Sequence, residues 1–368
     1  MVCCRWPVVC GQMHIQSLYP SVVCGLFRGL SSFQFILQML KRISIIGSGS
    51  WATALVKVFS DSGVAVSWLV RNSEQQSFIQ TSGYNPRHLS FASLQMQKIL
   101  PTADPLLAIK GADLVIFAVP SAYLEHSLQR FDKEWLESKH LAVSIKGFIP
   151  GSGCTPSQYL SRKLSREESS ISVIAGPCIA EEVASEKKSF LTICGADKDW
   201  VEKISSSLKA SYLRVIKNMD PIGVEYAAIL KNVIGIASGI ANGLQYGENF
   251  QSVLVSNALR EIGDFINKIL PAKRYFYDSA YAGDLLITAY SEQSRNRILG
   301  TLIGRGIQVS KALQSMAAVA EGFQASKELM PILKDIPMKM PVINCVYRIL
   351  HKHANPIEEF GLLEKQLV

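Results

Sequence analysis

Short apolar runs alternate with amphipathic stretches between residue 42 and about residue 215. The runs are rich in Ile, Val, Leu and Ala, which favour buried strands, and they cover residues 42–46, 64–70, 112–119, 141–145, 171–174 and 190–194. Helical patterns separate most of these runs. Strands that alternate with helices are typical of a doubly wound parallel sheet, so the pattern predicts an α/β fold for this part of the chain.

The pattern changes after Asp220-Pro221. From Ile222 onward small and apolar residues recur at helical spacing, with breaks near residues 243–247, 270–271 and 283–284. The second part of the chain is therefore predicted to be all-helical. A boundary near residue 217 divides the chain into a sheet domain at 39–216 and a helical domain at 217–368.

Residues 1–38 carry neither pattern. The first 60 residues contain no Asp or Glu, while Arg5 and Arg28 are basic, a bias found in organelle transit peptides. The apolar stretches are shorter than the ~18 residues of a membrane helix. The favoured alternative is an upstream start codon, since Met39 stands just before the first predicted strand. Under either interpretation the segment is predicted to lie outside the fold.

Composition narrows the classes of protein. Of the 368 residues, 48% are hydrophobic and 18% are charged, which is typical of a globular chain with a sizeable core. The formal net charge of +8 suits anionic small molecules, whereas the lack of a dense Lys/Arg run argues against nucleic acid. The eight cysteines form no CxxC pair and no cluster with His, so we predict no metal site and free thiols in a reducing cytoplasm.

A glycine-rich turn follows the first predicted strand. The sequence Gly47-x-Gly49-x-x-Ala52 matches the dinucleotide-binding fingerprint of Rossmann folds. The first glycine permits the tight turn, the second lets the backbone approach a pyrophosphate, and the small third residue allows close helix–strand packing. Because the free N–H groups of the following helix would face the phosphates, the turn predicts NAD or NADP as cofactor.

The second predicted strand ends in Trp68-Leu69-Val70-Arg71-Asn72, without the acidic residue that commonly binds the ribose 2′-hydroxyl of NAD. An arginine at this place can bind the 2′-phosphate of NADP. Arg71 therefore favours NADP as the cofactor without excluding NAD.

Three later segments carry polar residues that suit catalysis. Lys231 lies in a helix so rich in small and apolar residues that its amine is expected to be buried, although a side chain that reaches solvent is the alternative. Burial disfavours the charged amine and makes it a competent proton donor and acceptor. Asp284 and Thr288 are one helical turn apart, and Arg295 offers a planar fork for a phosphate. Residues 319–322 are predicted to form a turn after a helix.

Taken together, these motifs resemble the NAD(P)-dependent glycerol-3-phosphate dehydrogenases, most closely the bacterial biosynthetic type. The shared pieces occur in the family's order between residue 41 and about residue 335. They are Gly47-Ser-Gly-Ser-Trp-Ala-Thr-Ala-Leu55, Val119-Pro120-Ser121, Ile145-Lys146-Gly147, Gly176-Pro177-Cys178-Ile179-Ala180-Glu181-Glu182, Leu230-Lys231-Asn232-Val233, Gly283-Asp284-Leu285-Leu286 and Ser294-Arg295-Asn296.

The resemblance implies a role for each matching residue. Lys231 would be the proton acceptor in the oxidation direction. The residues implied to hold the glycerol phosphate are Lys146, Gly176, Cys178, Lys231, Asp284, Ser294, Arg295 and Asn296. Those implied to contact the dinucleotide are Gly47, Gly49, Ser50, Trp51, Arg71, Lys146, Ala180, Arg295, Val319 and Glu321. Two positions depart from the family: Ala52 replaces a more usual Gly, and Cys178 replaces Ser or another small residue.

The implied reaction is the reversible NAD(P)H-dependent reduction of dihydroxyacetone phosphate to sn-glycerol 3-phosphate, which supplies glycerophospholipid synthesis. Lys231, as an ammonium group, would protonate the carbonyl oxygen, with Lys146 adding positive charge and Asp284 either orienting the amine or accepting from a substrate hydroxyl. The nearest alternative is another dehydrogenase of β-hydroxyacids or sugar phosphates with the same two-domain plan; a non-catalytic nucleotide sensor is more distant. A cytoplasmic protein is expected, without nucleic acid or stable membrane insertion, and the apolar helical domain is compatible with a homodimer.

Overall fold

The apolar runs of the sequence form the central strands of a single eight-stranded sheet. The computed structural model describes residues 39–316 and 319–368, and its strand order is β3-β2-β1-β4-β5-β6-β7-β8. The strands are β1 Arg42–Ile46, β2 Ala65–Leu69, β3 Ile99–Thr102, β4 Leu114–Phe117, β5 His140–Val143, β6 Ile171–Ala175, β7 Ser189–Cys194 and β8 Leu213–Asn218. Every residue of β4 and β6 is buried, as expected for strands covered by helices on both faces. Residues 1–38, predicted to stand outside the fold, lie outside the described residues.

One pairing departs from the predicted parallel sheet. β6 and β7 are antiparallel, with Ile174 opposite Ile193, and the other pairs between neighbouring strands are parallel. The connection between β6 and β7 contains only the short helix α7, Ala180–Ala184. Such a helix rises ~7.5 Å, less than half of the ~16 Å spanned by a five-residue strand. The chain therefore re-enters the sheet at the end where β6 stops, and β7 runs antiparallel to β6.

Helices cover the sheet and then form the whole of the second part of the described chain. Around the sheet lie α1 Ser50–Asp61, α2 Ser73–Ser82, α3 Pro105–Ile109, α4 Leu124–Leu128, α5 Lys133–Glu137, α6 Pro156–Leu164, α7 and α8 Lys198–Ser207. Beyond β8 follow α9 Pro221–Gly243, α10 Gly247–Ile269, α11 Asp284–Tyr290, α12 Arg295–Gly304, α13 Val309–Gln314, α14 Glu321–Asp335, α15 Pro341–Lys352 and α16 Pro356–Glu364. A single π-helical turn, Ser279–Gly283, leads directly into α11.

α9 is the central helix of this second part, and α12 packs against it backbone to backbone. A Cβ on Gly239 would overlap the carbonyl oxygen of Arg297, and a Cβ on Gly300 would overlap that of Ile236. The glycines let the two helices approach more closely than side chains allow. Their contact brings the start of α12 beside the middle of α9, which carries Lys231.

Among the described helices, α9 alone is long and apolar enough to cross a membrane. Its most apolar window is entirely buried inside the protein, as in the core helix of a globular domain.

Candidate active site

The glycine-rich turn lies at the carboxyl end of β1, directly before the first turn of α1. Gly47 has φ +126°, and a Cβ there would overlap the backbone carbonyl of Ala118, just beyond β4. A Cβ on Gly49, in contrast, would meet no atom within 4 Å, so the space beside the start of α1 is open. Gly49 provides no side-chain cap for α1, which leaves the first N–H groups of the helix for a pyrophosphate. The turn therefore fits a dinucleotide.

Ser50 and Trp51 begin α1 beside this open space. The indole N–H of Trp51 donates to Ser144 Oγ at 2.7 Å, and the Ser144 hydroxyl donates to the carbonyl of Ile174 at 2.8 Å. These bonds fix Trp51 at the carboxyl ends of β5 and β6. Ligands of open α/β sheets bind at this edge.

Positive charge converges on the open side of the glycine-rich turn. His88, in the segment after α2, lies with Nδ1 3.4 Å from Ser50 Oγ. Burial lowers the pKa of His88, and the guanidinium groups of Arg87, Arg71 and Arg295 lower it further. Three arginines thus act electrostatically on one imidazole, and a carboxylate, Glu181, opposes them. The excess of positive charge beside the turn suits a phosphate. Arg87 and His88 belong to no recognised motif, so the sequence did not identify them as site residues. Two adjacent basic residues were the only indication of a role in phosphate binding.

Lys231 is buried in the middle of α9, so the alternative of a side chain that reaches solvent is wrong. The residue is 5% exposed, and Nζ donates to Asp284 and, at 2.8 Å, to Thr288 Oγ1. Burial lowers the pKa of the amine to about 7, although Asp284 opposes the shift, and Lys146 adds to it. An amine with a pKa near neutrality can both donate and accept a proton at physiological pH.

Asp284 is shared by two lysines. Its carboxylate is 1% exposed and accepts from Lys146 Nζ at 2.9 and 3.2 Å in addition to Lys231. Lys146, just beyond β5, also donates at 3.0 Å to the carbonyl of Gly176, just beyond β6. When Lys231 is in its ammonium form, one carboxylate between two amines leaves a net positive charge, which suits an oxygen that becomes negative during a reaction.

Two buried asparagines connect Lys146 and Lys231, the lysine pair, to α12 and α14. Asn232 Nδ2 donates to the carbonyl of Lys146 at 2.7 Å, and Asn232 Oδ1 accepts from Asn296 Nδ2 at 2.9 Å. Asn296 Oδ1 accepts from the backbone N–H of Gly322 at 3.0 Å. Asn232, which was not among the predicted site residues, is thus the hydrogen-bonding link between Lys146 and Asn296.

Ser294 and Arg295 lie at the start of α12. Ser294 Oγ caps the helix by accepting from the backbone N–H of Arg297 at 3.4 Å, and the side chain of Arg295 is exposed. The remaining N–H groups of this first turn and the Arg295 guanidinium are suitable donors for a phosphate.

Cys178 lies close to the lysine pair, at the start of the β6–β7 connection. Its thiol donates to the carbonyl of Phe190 at 3.1 Å. Burial raises the pKa of the thiol to about 12, so the sulfur stays protonated at neutral pH. Ala180 follows as the first residue of α7 and is half-buried.

The side chain of Glu321, on α14, forms hydrogen bonds with the loop after β4. Its carboxylate accepts from the backbone N–H of Ser121 at 3.1 Å and from Ser121 Oγ at 2.5 Å. The predicted turn at 319–322 is wrong in part, because Glu321 and Gly322 already begin α14. Val319, just before this helix, is 48% exposed.

The glycine-rich turn lies open at the carboxyl edge of a mainly parallel sheet, and a buried amine of the helical part faces the same edge. Together these two features define a nicotinamide-dinucleotide-dependent dehydrogenase. Family models described as the N-terminus and the C-terminus of NAD-dependent glycerol-3-phosphate dehydrogenase match residues 42–201 and 220–360. The chain belongs to this family.

Curated relatives and a solved structure agree with this assignment. The chain is 30% identical over 328 residues to a glycerol-3-phosphate dehydrogenase (NAD(P)+) of Exiguobacterium, covering 89% of this chain and 96% of that one. It is 31% identical to the enzyme of the same name from Corynebacterium glutamicum, covering 84% and 93%. The crystal structure of glycerol-3-phosphate dehydrogenase from Coxiella burnetii superposes with a TM-score of 0.81 at 27% identity, covering 88% and 98%.

Proposed function

We propose that this protein catalyses the reversible NAD(P)H-dependent reduction of dihydroxyacetone phosphate to sn-glycerol 3-phosphate in the cytoplasm and so supplies glycerophospholipid synthesis. The observation that carries the proposal is the Lys231 amine, buried beside Asp284, Thr288 and Lys146 at the carboxyl edge of the sheet. In this proposal residues 39–216 bind the dinucleotide, and residues 217–368 provide the proton donor and most of the substrate site.

The bound nicotinamide supplies a hydride, so the protein has to position the two reactants and move one proton. Backbone N–H groups at Gly49, Ser50 and Trp51 would bind the pyrophosphate, and Gly47 makes room for the turn. Arg71 would bind the adenosine ribose or its 2′-phosphate. The residues that would border the rest of the dinucleotide are Lys146, Ala180, Arg295, Val319 and Glu321.

The proton step follows from the state of Lys231. Its ammonium form would hydrogen-bond the carbonyl oxygen of dihydroxyacetone phosphate, stabilise the negative charge that develops there, and then protonate the oxygen. Asp284 holds the amine in place, and the ammonium group of Lys146 adds positive charge to the same site. In the oxidation direction the neutral amine would accept the hydroxyl proton.

The substrate phosphate would bind at the start of α12. Arg295 offers its guanidinium group, Ser294 and Asn296 offer polar groups of the first turn, and Gly176 and Cys178 would border the substrate from the sheet side. The Asn296 side chain already bonds Asn232 and Gly322, so its second Nδ2 hydrogen and its backbone N–H are the groups left for the phosphate. Phosphate binding at a distance from the reacting carbon would fix that carbon against the nicotinamide.

The variant Lys231→Met tests the proton step, because it removes the amine but keeps most of the side-chain volume. We expect NADPH oxidation with dihydroxyacetone phosphate to fall about 10²–10⁴-fold, the usual contribution of a positioned acid or base. Lys57→Met is the matched control: Lys57 is also 5% exposed on a helix and pairs with Asp61 and Glu186, but away from the site. A Lys231→Met rate within tenfold of wild type would refute the role.

A substrate panel separates this function from its nearest alternative. Dihydroxyacetone phosphate should be reduced. Reduction of unphosphorylated dihydroxyacetone and oxidation of β-hydroxyacids should be at least about 10²-fold slower, because the phosphate contacts are missing.

The proposed assembly is a homodimer. The exposed Leu286 and Tyr290 on α11 support it, and light scattering of the purified protein tests it.

A further inference from the structure

Asn85 is a fully buried asparagine in the segment between α2 and β3, at 0% exposure. Its Nδ2 donates to the carbonyl of Ser48 at 3.0 Å and to Thr53 Oγ1 at 2.9 Å. Its Oδ1 accepts from Gln75 Nε2 at 3.2 Å and from the backbone N–H of Arg87 at 3.1 Å. The two donor hydrogens and the two acceptor positions of the amide are all used, so the side chain has one defined orientation.

The bond to Ser48 fixes the middle of the glycine-rich turn. The peptide between Ser48 and Gly49 is planar and trans, so its C=O and its N–H point in opposite directions. Because Asn85 holds the Ser48 carbonyl on one side, the Gly49 N–H is directed to the other. Thr53 adds a second link, since its hydroxyl donates to the Gly49 carbonyl at 2.9 Å while it accepts from Asn85. Two successive peptide groups of the turn are therefore held, the first by Asn85 directly and the second by Thr53, which Asn85 itself hydrogen-bonds.

Gln75 extends the same network to the end of β2. The residue is 7% exposed, and its Oε1 accepts from the backbone N–H of Arg71 at 3.2 Å while its Nε2 donates to Asn85. The paired amides of Gln75 and Asn85 thus hold the backbone at three places: the glycine-rich turn, Arg71 and Arg87. Both arginines lower the pKa of His88, whose Nδ1 lies 3.4 Å from Ser50 Oγ at the start of α1.

We propose that Asn85 and Gln75 are positioning residues for dinucleotide binding, which hold the phosphate-binding turn and its two arginines in the geometry that the cofactor requires. The proposal rests on the dinucleotide site of the proposed function. Neither residue contacts the reacting carbon. Loss of the network should therefore weaken cofactor binding, because the site must be ordered anew at each binding event, and should leave the chemical step intact once the cofactor is bound.

The test uses the variant Gln75→Met in the full-length protein, with NADPH and NADH binding followed by the fluorescence of the reduced nicotinamide. We expect the Kd of both cofactors to rise about tenfold, corresponding to about 1.4 kcal/mol, since the pyrophosphate turn serves both. At saturating cofactor, kcat and the KM for dihydroxyacetone phosphate should stay within about twofold of wild type. Asn85→Asp, which keeps both acceptor positions but removes both donors, should raise the Kd values further.

A second buried glutamine provides the control. Gln251 is also 7% exposed and holds Ser238 through two hydrogen bonds, of 2.7 and 2.9 Å, inside the helical part. Gln251→Met should lower Tm by an amount similar to Gln75→Met but leave both Kd values unchanged. If folded Gln75→Met binds NADPH and NADH within twofold of wild type, or loses kcat without a change in Kd, the positioning role is wrong. If the wild-type protein itself binds neither cofactor, the proposed function is the part that fails.

Discussion

The glycine-rich turn and the lysine site, which consists of Lys146, Lys231, Asp284 and Thr288, face the same edge of the sheet but are built in different ways. The turn is local: Gly47, Gly49 and the start of α1 lie within a few residues, and its binding groups are backbone N–H groups. The lysine site takes Lys146 from the loop after β5, Lys231 from α9, and Asp284 and Thr288 from α11. A backbone-based site depends on the side chains that hold its peptide groups, as Asn85 holds the Ser48 carbonyl, whereas a site made of distant side chains also depends directly on the chemistry of each of them.

The two regions also differ in how they carry charge. Around the turn the cations are exposed or half-buried, and solvent screens them. At the lysine site Lys231 and Asp284 are buried and Lys146 is half-buried, so their charges are less screened and shift one another's pKa more strongly. We therefore expect the loss of a charge at the lysine site to have a larger effect than the loss of a charge around the turn.

Asp284→Asn should have the largest effect. The change leaves two amines close together without the carboxylate that pairs them, so the pKa of Lys231 should fall further and its ammonium form should be lost. We expect kcat/KM for dihydroxyacetone phosphate to fall at least about 10²-fold, measured by NADPH oxidation. The Kd for NADPH should change little. Equal losses in both quantities would show that the two regions are coupled more tightly than their geometry indicates.

Gly300→Ala should break the contact that brings α12 to the lysine site. The new Cβ would overlap the carbonyl of Ile236 on α9, so the helices must separate. We expect a loss of about 1–3 kcal/mol in the free energy of unfolding, measured by urea denaturation, with a raised KM for dihydroxyacetone phosphate. Gly361→Ala in α16 is the control: a Cβ there meets no atom within 4 Å, and alanine should stabilise that helix by about 0.5–1 kcal/mol.

The contrast between the two regions also explains what the sequence could reveal about this protein. The central strands were recognised because burial on both faces leaves apolar runs, as in β4 and β6. β3 and β8 were missed because they are edge strands: β3 contains Pro101, and β8 mixes exposed with half-buried positions. The antiparallel direction of β7 has no signature in its residues, since it follows from the short connection before it.

The same holds at the level of the site. The glycine-rich turn could be recognised from its spacing, and the helical pattern singled out Lys231 and Asp284. The family resemblance then added Lys146 and the roles of all three. Asn232 was part of a shared motif but was given no role, and Asn85 was not singled out. An asparagine in a helix or a loop has many ordinary uses, and only the fold shows which hydrogen bonds it makes.

Arg71→Asp probes the turn region and should have a moderate effect. The exposed guanidinium group lies at the end of β2, where the ribose 2′ position of a bound dinucleotide is expected. A carboxylate there should repel the 2′-phosphate and accept from the 2′-hydroxyl, so the ratio of kcat/KM with NADPH to that with NADH should fall about tenfold or more. An unchanged ratio would show that Arg71 does not distinguish the cofactors, although it would leave the lysine site untouched.

Thr288→Val should have the smallest effect and reports on protonation at the lysine site. Reduction requires the ammonium form of Lys231, and burial lowers the pKa of this amine from 10.5 to about 7. In wild type, kcat/KM for reduction should therefore decline as the pH rises through neutrality, while oxidation of glycerol 3-phosphate should increase. Valine removes a hydroxyl that accepts from the amine at 2.8 Å, which disfavours the charged form and lowers the pKa further.

The decline of reduction in Thr288→Val should accordingly begin at a lower pH than in wild type, with a loss of only a few-fold at pH 6. Rates measured with NADPH between pH 6 and 9 check this, and Thr301→Val, on α12 away from the amine, should keep the wild-type profile. A shift toward higher pH would mean that the group that titrates is not the buried amine, because loss of a partner that stabilises an ammonium ion can only lower its pKa.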